Sequence, residues 1–555
     1  MIRVPSLFLL VFLCWSCLAQ SPVSVDQTDE LEAVFTERPK LVVGIVVDQM
    51  RYDYLTRFEE KYSNGGFIRL INDGFNCKNG HFNYVPTYTG PGHASLYTGT
   101  TPRNHGIISN SWYDKSEKKF VYCAGNDSVQ SVGTDSRAGQ MSPHRMIVST
   151  FPDENRLFTQ MRGKTIGISV KDRGAVLPAG HTANAAYWYE GKESGNWISS
   201  TYYMDDLPNW VKKFNRSDAV ESYLKIWNTQ YDIKTYTESG DDLNAFEYGF
   251  NGKETATFPY DLKALAPLNG NMDILRDTPY GNSIVTDFAL AALVNEDLGQ
   301  DEHTDVLAIS YSSTDYMGHN FGVNSKEVED VYIRLDLELK RLLLALDREV
   351  GEGNYTLFLT SDHGAVEVPS YLQTVGIPAG YIDNDLVKSE FTTFLQTTFG
   401  SQQIVENVSN NQVFLNREKL EELKLDLDEV CEKIADELIT YDHVDRVYTG
   451  KSINNSSFES GIEVLLQRGY NQKRSGDVLV VNKPAHISYS KTGSTHGTGL
   501  NYDTHVPIIF YGKGIRKGST LEYVPIIDIA PTISALLGTA FPNGASGKPL
   551  YFILD

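Results

Sequence analysis

Two phrases far apart in the chain pair a carboxylate with an imidazole: Thr314-Asp315-Tyr316-Met317-Gly318-His319 and Ser361-Asp362-His363-Gly364. In the first, Asp315 and His319 are four apart, so a helical turn beginning after the preceding apolar run puts both on one face. In the second, Asp362 and His363 are adjacent and point apart unless the backbone turns, which the following Gly364 permits. Mixed oxygen and nitrogen donors of this kind suit zinc, and two such pairs point to two metals. Ser494-Thr495-His496-Gly497-Thr498 adds an imidazole in a glycine-containing loop, and Asp48 ends the apolar run Leu41–Val47.

These residues need elements that bring them together. Strand candidates are 41–47, 164–170, 304–311, 354–360 and 506–511, and helix candidates are 283–298, 325–349 and 527–537. Continuous β-branched runs belong to strands buried on both faces, and alternating strands and helices imply a doubly wound, mostly parallel α/β sheet sandwiched by helices. In such sheets the ligand lies beyond the carboxyl ends of the strands. Asp48, Asp315 and Asp362 all fall at or just past such ends.

Composition narrows the function classes. The 555 residues call for one large domain with insertions, or two domains. Hydrophobic content of 41% and charged content of 22% suit a globular fold. A net charge of −22 argues against a nucleic-acid partner, although metals and a few cations can still build a local positive field for a small anion. Residues 1–19 read as a secretory signal: Arg3 is the positive start, Leu7 to Leu13 the apolar stretch, and Cys17-Leu18-Ala19 before Gln20 the cleavage site. The apolar segment is short for a membrane span, so the expected product is exported, periplasmic or secreted, without a transmembrane segment. Residues 20–39 read as a polar tether. The remaining Cys77, Cys123 and Cys431 are no disulfide framework, though Cys77 and Cys123 are the better candidates for one bridge.

The domain expected over 40–555 is interrupted twice. Residues 186–270, rich in Tyr, Trp, Asn and Asp, lack clear periodicity and read as an inserted cap or irregular excursion. Residues 385–480 carry a helix–strand pattern of their own, with an amphipathic run from Leu420 to Leu438, and read as a second insertion with a small sheet.

Thr89, in Pro86-Thr87-Tyr88-Thr89-Gly90-Pro91-Gly92-His93-Ala94-Ser95, lies where strand-like sequence gives way to helix-like sequence. A hydroxyl there meets the positive end of the helix dipole and free N–H groups, both suited to an anion. Metal coordination is one way to make such a hydroxyl a nucleophile.

With these motifs in order, the chain resembles the alkaline phosphatase superfamily, specifically its phosphate-irrepressible, threonine-nucleophile, two-zinc branch. The resemblance runs from Val43 to Asp528-Ile529-Ala530-Pro531-Thr532. Carried across residue by residue, it implies one zinc held by Asp48, Asp362 and His363 with Thr89, and another by Asp315, His319 and His496. It implies an alkaline phosphatase-like fold and a phosphothreonine intermediate at Thr89. The expected activity is that of a phosphomonoesterase of broad range acting on small phosphate monoesters. It also assigns phosphate contacts to Lys171 and Arg173, in Lys171-Asp172-Arg173, and to Asn110, in Gly106-Ile107-Ile108-Ser109-Asn110. Arg173 offers a planar pair of donors and Lys171 a mobile point charge, a combination that favours a dianion.

A phosphodiesterase or nucleotide pyrophosphatase on the same metal pair is the nearest alternative. A sulfatase is disfavoured by Thr at position 89, and a phosphosugar mutase by the signal segment. A phosphate-binding protein without turnover is disfavoured by the full ligand set. His93 and His105 read as backbone-shaping residues, and His181, His303 and His486 lack a second donor at metal spacing.

Overall fold

The computed structural model describes residues 37–555. The signal-type segment and most of the tether therefore lie outside the described residues. Leu41–Val47, seven apolar or glycine residues in a row, is the central strand and is wholly buried. Side-chain alternation divides it: Leu41, Val43, Ile45 and Val47 enter the core on one face, with Ile284, Leu335 and Leu339, while Val42 and Val46 enter the other, with Leu96, Tyr97 and Ile533. The first face is covered by the helices Pro279–Asn295 and Lys326–Leu346, the second by Thr89–Thr98 and Ile529–Leu537. Gly44 is required by packing, because a Cβ there would run into the Tyr97 hydroxyl and the Phe358 ring.

The main sheet has ten strands in the order Gly518–Pro525, Phe75–His81, Ile508–Gly512, Tyr355–Thr360, Leu41–Val47, Asp305–Tyr311, Thr165–Ser169, Ala185–Glu190, Asn196–Ser200 and Ser131–Val132. Its centre, from Tyr355–Thr360 to Ala185–Glu190, is parallel, as the apolar runs imply. Its flanks are mixed. Ile508–Gly512 runs antiparallel to Tyr355–Thr360 because the chain enters it from the His496 loop, at the carboxyl end of the sheet, and can only run back. Register does the positioning: Val47 pairs with Tyr311, Val46 with Thr360, and Ser310 with Ser169. The residues after these strands, Asp48, Asp315, Asp362 and Lys171, therefore emerge side by side.

Residues 186–200 belong to this sheet, and the irregular stretch starts only after Ser200. Further on, Val405–Ser409, Gln412–Leu415, Val444–Thr449 and Val478–Asn482 form a separate four-stranded sheet with its own apolar cluster around Ile434 and Val413. The amphipathic run from Leu420 is two helices, Arg417–Glu422 and Leu427–Leu438. Lys424, at φ 55°, breaks it, and Asp426 caps the second helix through the amides of Asp428 and Glu429. Cys77, Cys123 and Cys431 are all free and buried, so the possible Cys77–Cys123 bridge is not formed. No described helix is long and apolar enough to cross a membrane.

Candidate active site

The site forms where the parallel strands end. In the helix Ser313–Phe321, the spacing of four brings His319 Nε2 to 3.2 Å from Asp315 Oδ1. Asp362 and His363 both reach the same end: His363 Nε2 lies 3.6 Å from Asp362 Oδ2 and 3.5 Å from Asp48 Oδ1. Gly364 serves here by close approach and not by a left-handed turn, since a Cβ would collide with the Tyr502 carbonyl. His496 Nε2 lies 3.6 Å from Asp315 Oδ1, and its ring stacks on His363 with centroids 3.4 Å apart.

Two groups of converging ligand atoms result, Asp48–Asp362–His363 and Asp315–His363–His496. His363 borders both groups, and His319 sits against the Asp315 side of the second. Buried Asp48 Oδ1, Asp362 Oδ2 and His363 Nε2 have no hydrogen-bond partner, as expected of atoms that serve a cation. The imidazoles are set for the same task. His319 Nδ1 faces Ser494 O at 2.7 Å, His363 Nδ1 faces Gly364 O at 3.0 Å and His496 Nδ1 faces Thr87 O at 2.7 Å. A carbonyl only accepts, so each Nδ1 carries the proton and each Nε2 lone pair points into the cluster. The residues present therefore fit a bound metal centre.

The electrostatics are uneven. Burial, with Asp362 beside it, pushes the Asp48 carboxyl up to about 8. Burial also opposes ionisation of Asp315 and Asp362, yet His319 and Lys171 hold Asp315 well below the usual carboxylate range, and His363 and His93 hold Asp362 down. Burial and the neighbouring His363 keep His496 well below the ordinary imidazole value. Lys171, almost fully buried, bridges the two groups, donating to Asp48 Oδ2 at 2.8 Å and Asp315 Oδ2 at 2.5 Å.

Thr89 is the first residue of the wholly buried helix Thr89–Thr98. Gly92 lets that helix lie against Asp362, whose backbone a Cβ would strike. Arg173, in the first turn of the helix Asp172–Ala179, brings Nη2 to 3.5 Å from Thr89 Oγ1. Its Nη1 donates to Tyr122 Oη at 3.1 Å, and Tyr122 donates to Asp172 Oδ1 at 2.5 Å, fixing the guanidinium plane. Asn110 Oδ1 accepts from Gly90 N at 2.6 Å. The structure thus brings Asp48, Thr89, Asn110, Lys171, Arg173, Asp315, His319, Asp362, His363 and His496 to one place. His93 bonds Thr89 O at 2.9 Å, as a backbone-shaping residue does, and also lies 3.3 Å from Asp362 Oδ2.

Sequence reasoning did not single out Gln49, Asp503 or the Tyr122–Asp172 pair. Gln49, at φ 62°, donates from Nε2 to Asp315 Oδ1 and from its backbone N to Asp362 Oδ1, at 2.7 and 3.1 Å. Asp503 Oδ2 accepts from the amides of Gly497 and Thr498 and from the Thr498 hydroxyl, fixing the His496 loop. Asp172, inside Lys171-Asp172-Arg173, carried a usable signal; Gln49 and Asp503 carried none beyond their nearness to Asp48 and His496.

Comparison with known proteins places this geometry. Residues 42–506 match the family described as type I phosphodiesterase / nucleotide pyrophosphatase, and the chain belongs to that family. Within it, the chain is 43% identical to alkaline phosphatase PafA of Elizabethkingia meningoseptica, over 92% of this chain and 94% of that protein. It is 45% identical to a protein of Myroides odoratus named a calcium-transporting ATPase, over 93% and 94%. The crystal structure of wild-type PafA superimposes with a TM-score of 0.90 at 42% identity, covering 94% of this chain and all of that one. The resemblance to the threonine-nucleophile branch of the alkaline phosphatase superfamily is thereby borne out.

Proposed function

We propose that this chain is an alkaline phosphatase that hydrolyses small phosphate monoesters through a phosphothreonine at Thr89. The observation that supports the reading is the Arg173 guanidinium at 3.5 Å from Thr89 Oγ1, on a helix that Gly92 seats against Asp362 of the first carboxylate–imidazole group. Asp48, Asp362 and His363, with Thr89, would hold one zinc ion, and Asp315, His319 and His496 the other. Zinc supplies positive charge against the attacking and leaving oxygens of an in-line displacement.

The chain's own residues do the rest. The Thr89 hydroxyl gives up its proton and its oxygen attacks phosphorus, the bond to the ester oxygen breaks, and that oxygen takes up a proton and leaves as the alcohol. Water then attacks the phosphothreonine, the bond from phosphorus to the Thr89 oxygen breaks, and inorganic phosphate departs with the hydroxyl restored. Arg173, held by Tyr122 and Asp172, meets non-bridging oxygens with paired donors. Asn110, its oxygen committed to Gly90 N, offers its Nδ2 as a further donor. Lys171 places a fixed cation between the two carboxylate groups. His93 fixes the Thr89 carbonyl and so the start of the nucleophile's helix. The segment from Arg3 to Ala19 supports export to the periplasm or medium.

Metal analysis of the purified protein, with aryl phosphate monoester and diester turnover on the same preparation, tests the reading. The expected result is about two zinc ions per chain, as a two-metal displacement requires, and a dominant monoester activity. A dominant diester activity would replace it with the phosphodiesterase alternative.

A further inference from the structure

Asn110 comes from outside the main sheet: it sits in the bend just before the short strand Ser111–Asp114 of a separate two-stranded sheet. Its own hydrogen bonds hold it at two points: Oδ1 accepts from Gly90 N, and its carbonyl accepts from Cys123 N at 2.9 Å. The residues on either side of it are held by a different part of the molecule. Ser109 Oγ donates to Asn410 Oδ1 at 3.1 Å, and Asn410 Nδ2 donates to Ser111 O at 2.9 Å. One side-chain amide thus bonds the Ser109 hydroxyl before Asn110 and the Ser111 carbonyl after it.

Asn410 comes from the separate four-stranded sheet. Val405–Ser409 and Gln412–Leu415 pair antiparallel, Ser409 faces Gln412, and Asn410-Asn411 is the two-residue turn between them. Both turn residues have positive φ, 52° and 56°, the conformation that tight hairpins demand and asparagine tolerates. The same region grips the Asn110 segment further out. Asn471 Nδ2 donates to Arg103 O at 2.9 Å, Arg474 Nη1 to Gly106 O at 2.5 Å, and Lys115 Nζ to Ser475 O at 2.7 Å.

We infer that Asn410 is a positioning residue for the phosphate site: the hairpin tip of the inserted region sets the place of Asn110 and hence of its free amide donor. The inference rests on the reading of Asn110 as a phosphate contact. An amide donor displaced by a fraction of an ångström loses much of its worth to a dianionic transition state, because such contacts are effective only when pre-organised.

The discriminating variant is Asn410→Gly, which keeps the positive φ of the turn and removes both hydrogen bonds. The metal-replete wild type, Asn410→Gly, Asn110→Ala and the double variant are compared on an aryl phosphate monoester, with the inhibition constant for inorganic phosphate as a second readout. Asn410→Gly should lower kcat/KM about tenfold and weaken phosphate inhibition in parallel, the scale expected when a positioning contact is lost. The double variant should be no slower than Asn110→Ala alone, since both changes remove one function. Ser109→Ala breaks one of the two bonds without touching the turn; it should show a smaller loss that also vanishes in the Asn110→Ala background. Losses that multiply in the double variant would overturn the inference, as would an unchanged Asn410→Gly beside an impaired Asn110→Ala. An unimpaired Asn110→Ala would instead remove Asn110 from phosphate binding, and the inference with it.

Discussion

Two regions of the molecule bury acidic side chains, and they do so with opposite consequences. At the carboxyl end of the sheet, Asp48, Asp315 and Asp362 face Lys171, His319, His363 and His496, and two of the three carboxyls are held below their usual range. At the start of the helix Lys326–Leu346, Glu327 and the neighbouring Glu247 are buried with Asp242 nearby and no imidazole among their charged neighbours. Their hydrogen bonds come from neutral groups: Tyr260 Oη donates to Glu327 Oε1 at 2.6 Å, and Asn244 Nδ2 to Glu247 Oε1 at 2.5 Å. Both carboxyls there are raised, Glu327 by burial and by Glu247, and Glu247 by burial and by Asp242. Burying acids therefore does not make a metal centre. Oriented imidazoles and a lysine bonded directly to the carboxylates favour ionised acids in the first cluster, as a cation's ligand set requires, while in the second burial and like charge outweigh Lys326 and favour the protonated form.

The largest effect should come from the group that the first cluster serves. Thr89→Ala keeps Asp48, Asp362 and His363, so it should fold, bind zinc and bind phosphate. Its monoester turnover should fall by about four orders of magnitude, as loss of an activated nucleophile does elsewhere, while Thr89→Ser retains appreciable turnover. A Thr89→Ala protein that is slightly destabilised yet active would make the residue a helix-start side chain and nothing more.

Next is the cluster itself. Asp315→Ala leaves His319, His496 and Lys171 without their shared carboxylate and should lower zinc content and activity together, with chelation of the wild type giving the same inactive state. Full activity in a metal-depleted Asp315→Ala protein would end the metal assignment. Glu327→Gln should leave zinc content unchanged. Equal zinc losses in the two variants would erase the distinction between the acidic regions.

How legible this was from sequence depends on the range of the interactions. Leu41–Val47, 304–311 and 354–360 are readable because a strand buried on both faces has no polar face to interrupt it, and each is followed by its acid within a few residues. The Asp315–His319 pairing is readable from helical geometry alone. Direction and register are not local. Nothing in 506–511 says that the strand returns antiparallel, and nothing in the aromatic-rich sequence after Ala185 marks 186–200 as sheet. Gln49 and Asn410 escape for the same reason: their partners lie on segments distant in sequence that only the fold brings near, whereas Asp503 bonds residues five and six positions away in an irregular loop with no periodicity to mark it. The break at Lys424 was invisible because the apolar spacing continues across it.

Arg173→Ala tests the cationic side of the site. Removing the guanidinium takes away donors that matter more for a dianionic transition state than for a diester monoanion. Monoester kcat/KM should drop about 100-fold, the scale of losing one pre-organised donor, with a clearly smaller loss for an aryl diester. Equal losses for both would make Arg173 a residue of folding or general positioning.

The smallest effect belongs to the second acidic region and is read as a pH profile. Glu247 stands near Asp242, Glu327 and Lys326, and burial with Asp242 raises its carboxyl from the ordinary range to about 8. A group whose folded value is raised contributes stability below its unfolded value, and that contribution is lost as pH rises through the folded value. Glu247 therefore favours the folded state near pH 4 and opposes it increasingly up to about pH 8, where the buried carboxyl must ionise beside its neighbours. Glu247→Gln keeps an acceptor for Asn244 and removes the titration. Its Tm should decline less than that of the wild type between pH 6 and pH 9, by on the order of a few °C for a domain of this size. Parallel Tm profiles for the two proteins would mean that Glu247 stays ionised in the fold and is neutralised by a cation, which would make the two acidic regions alike.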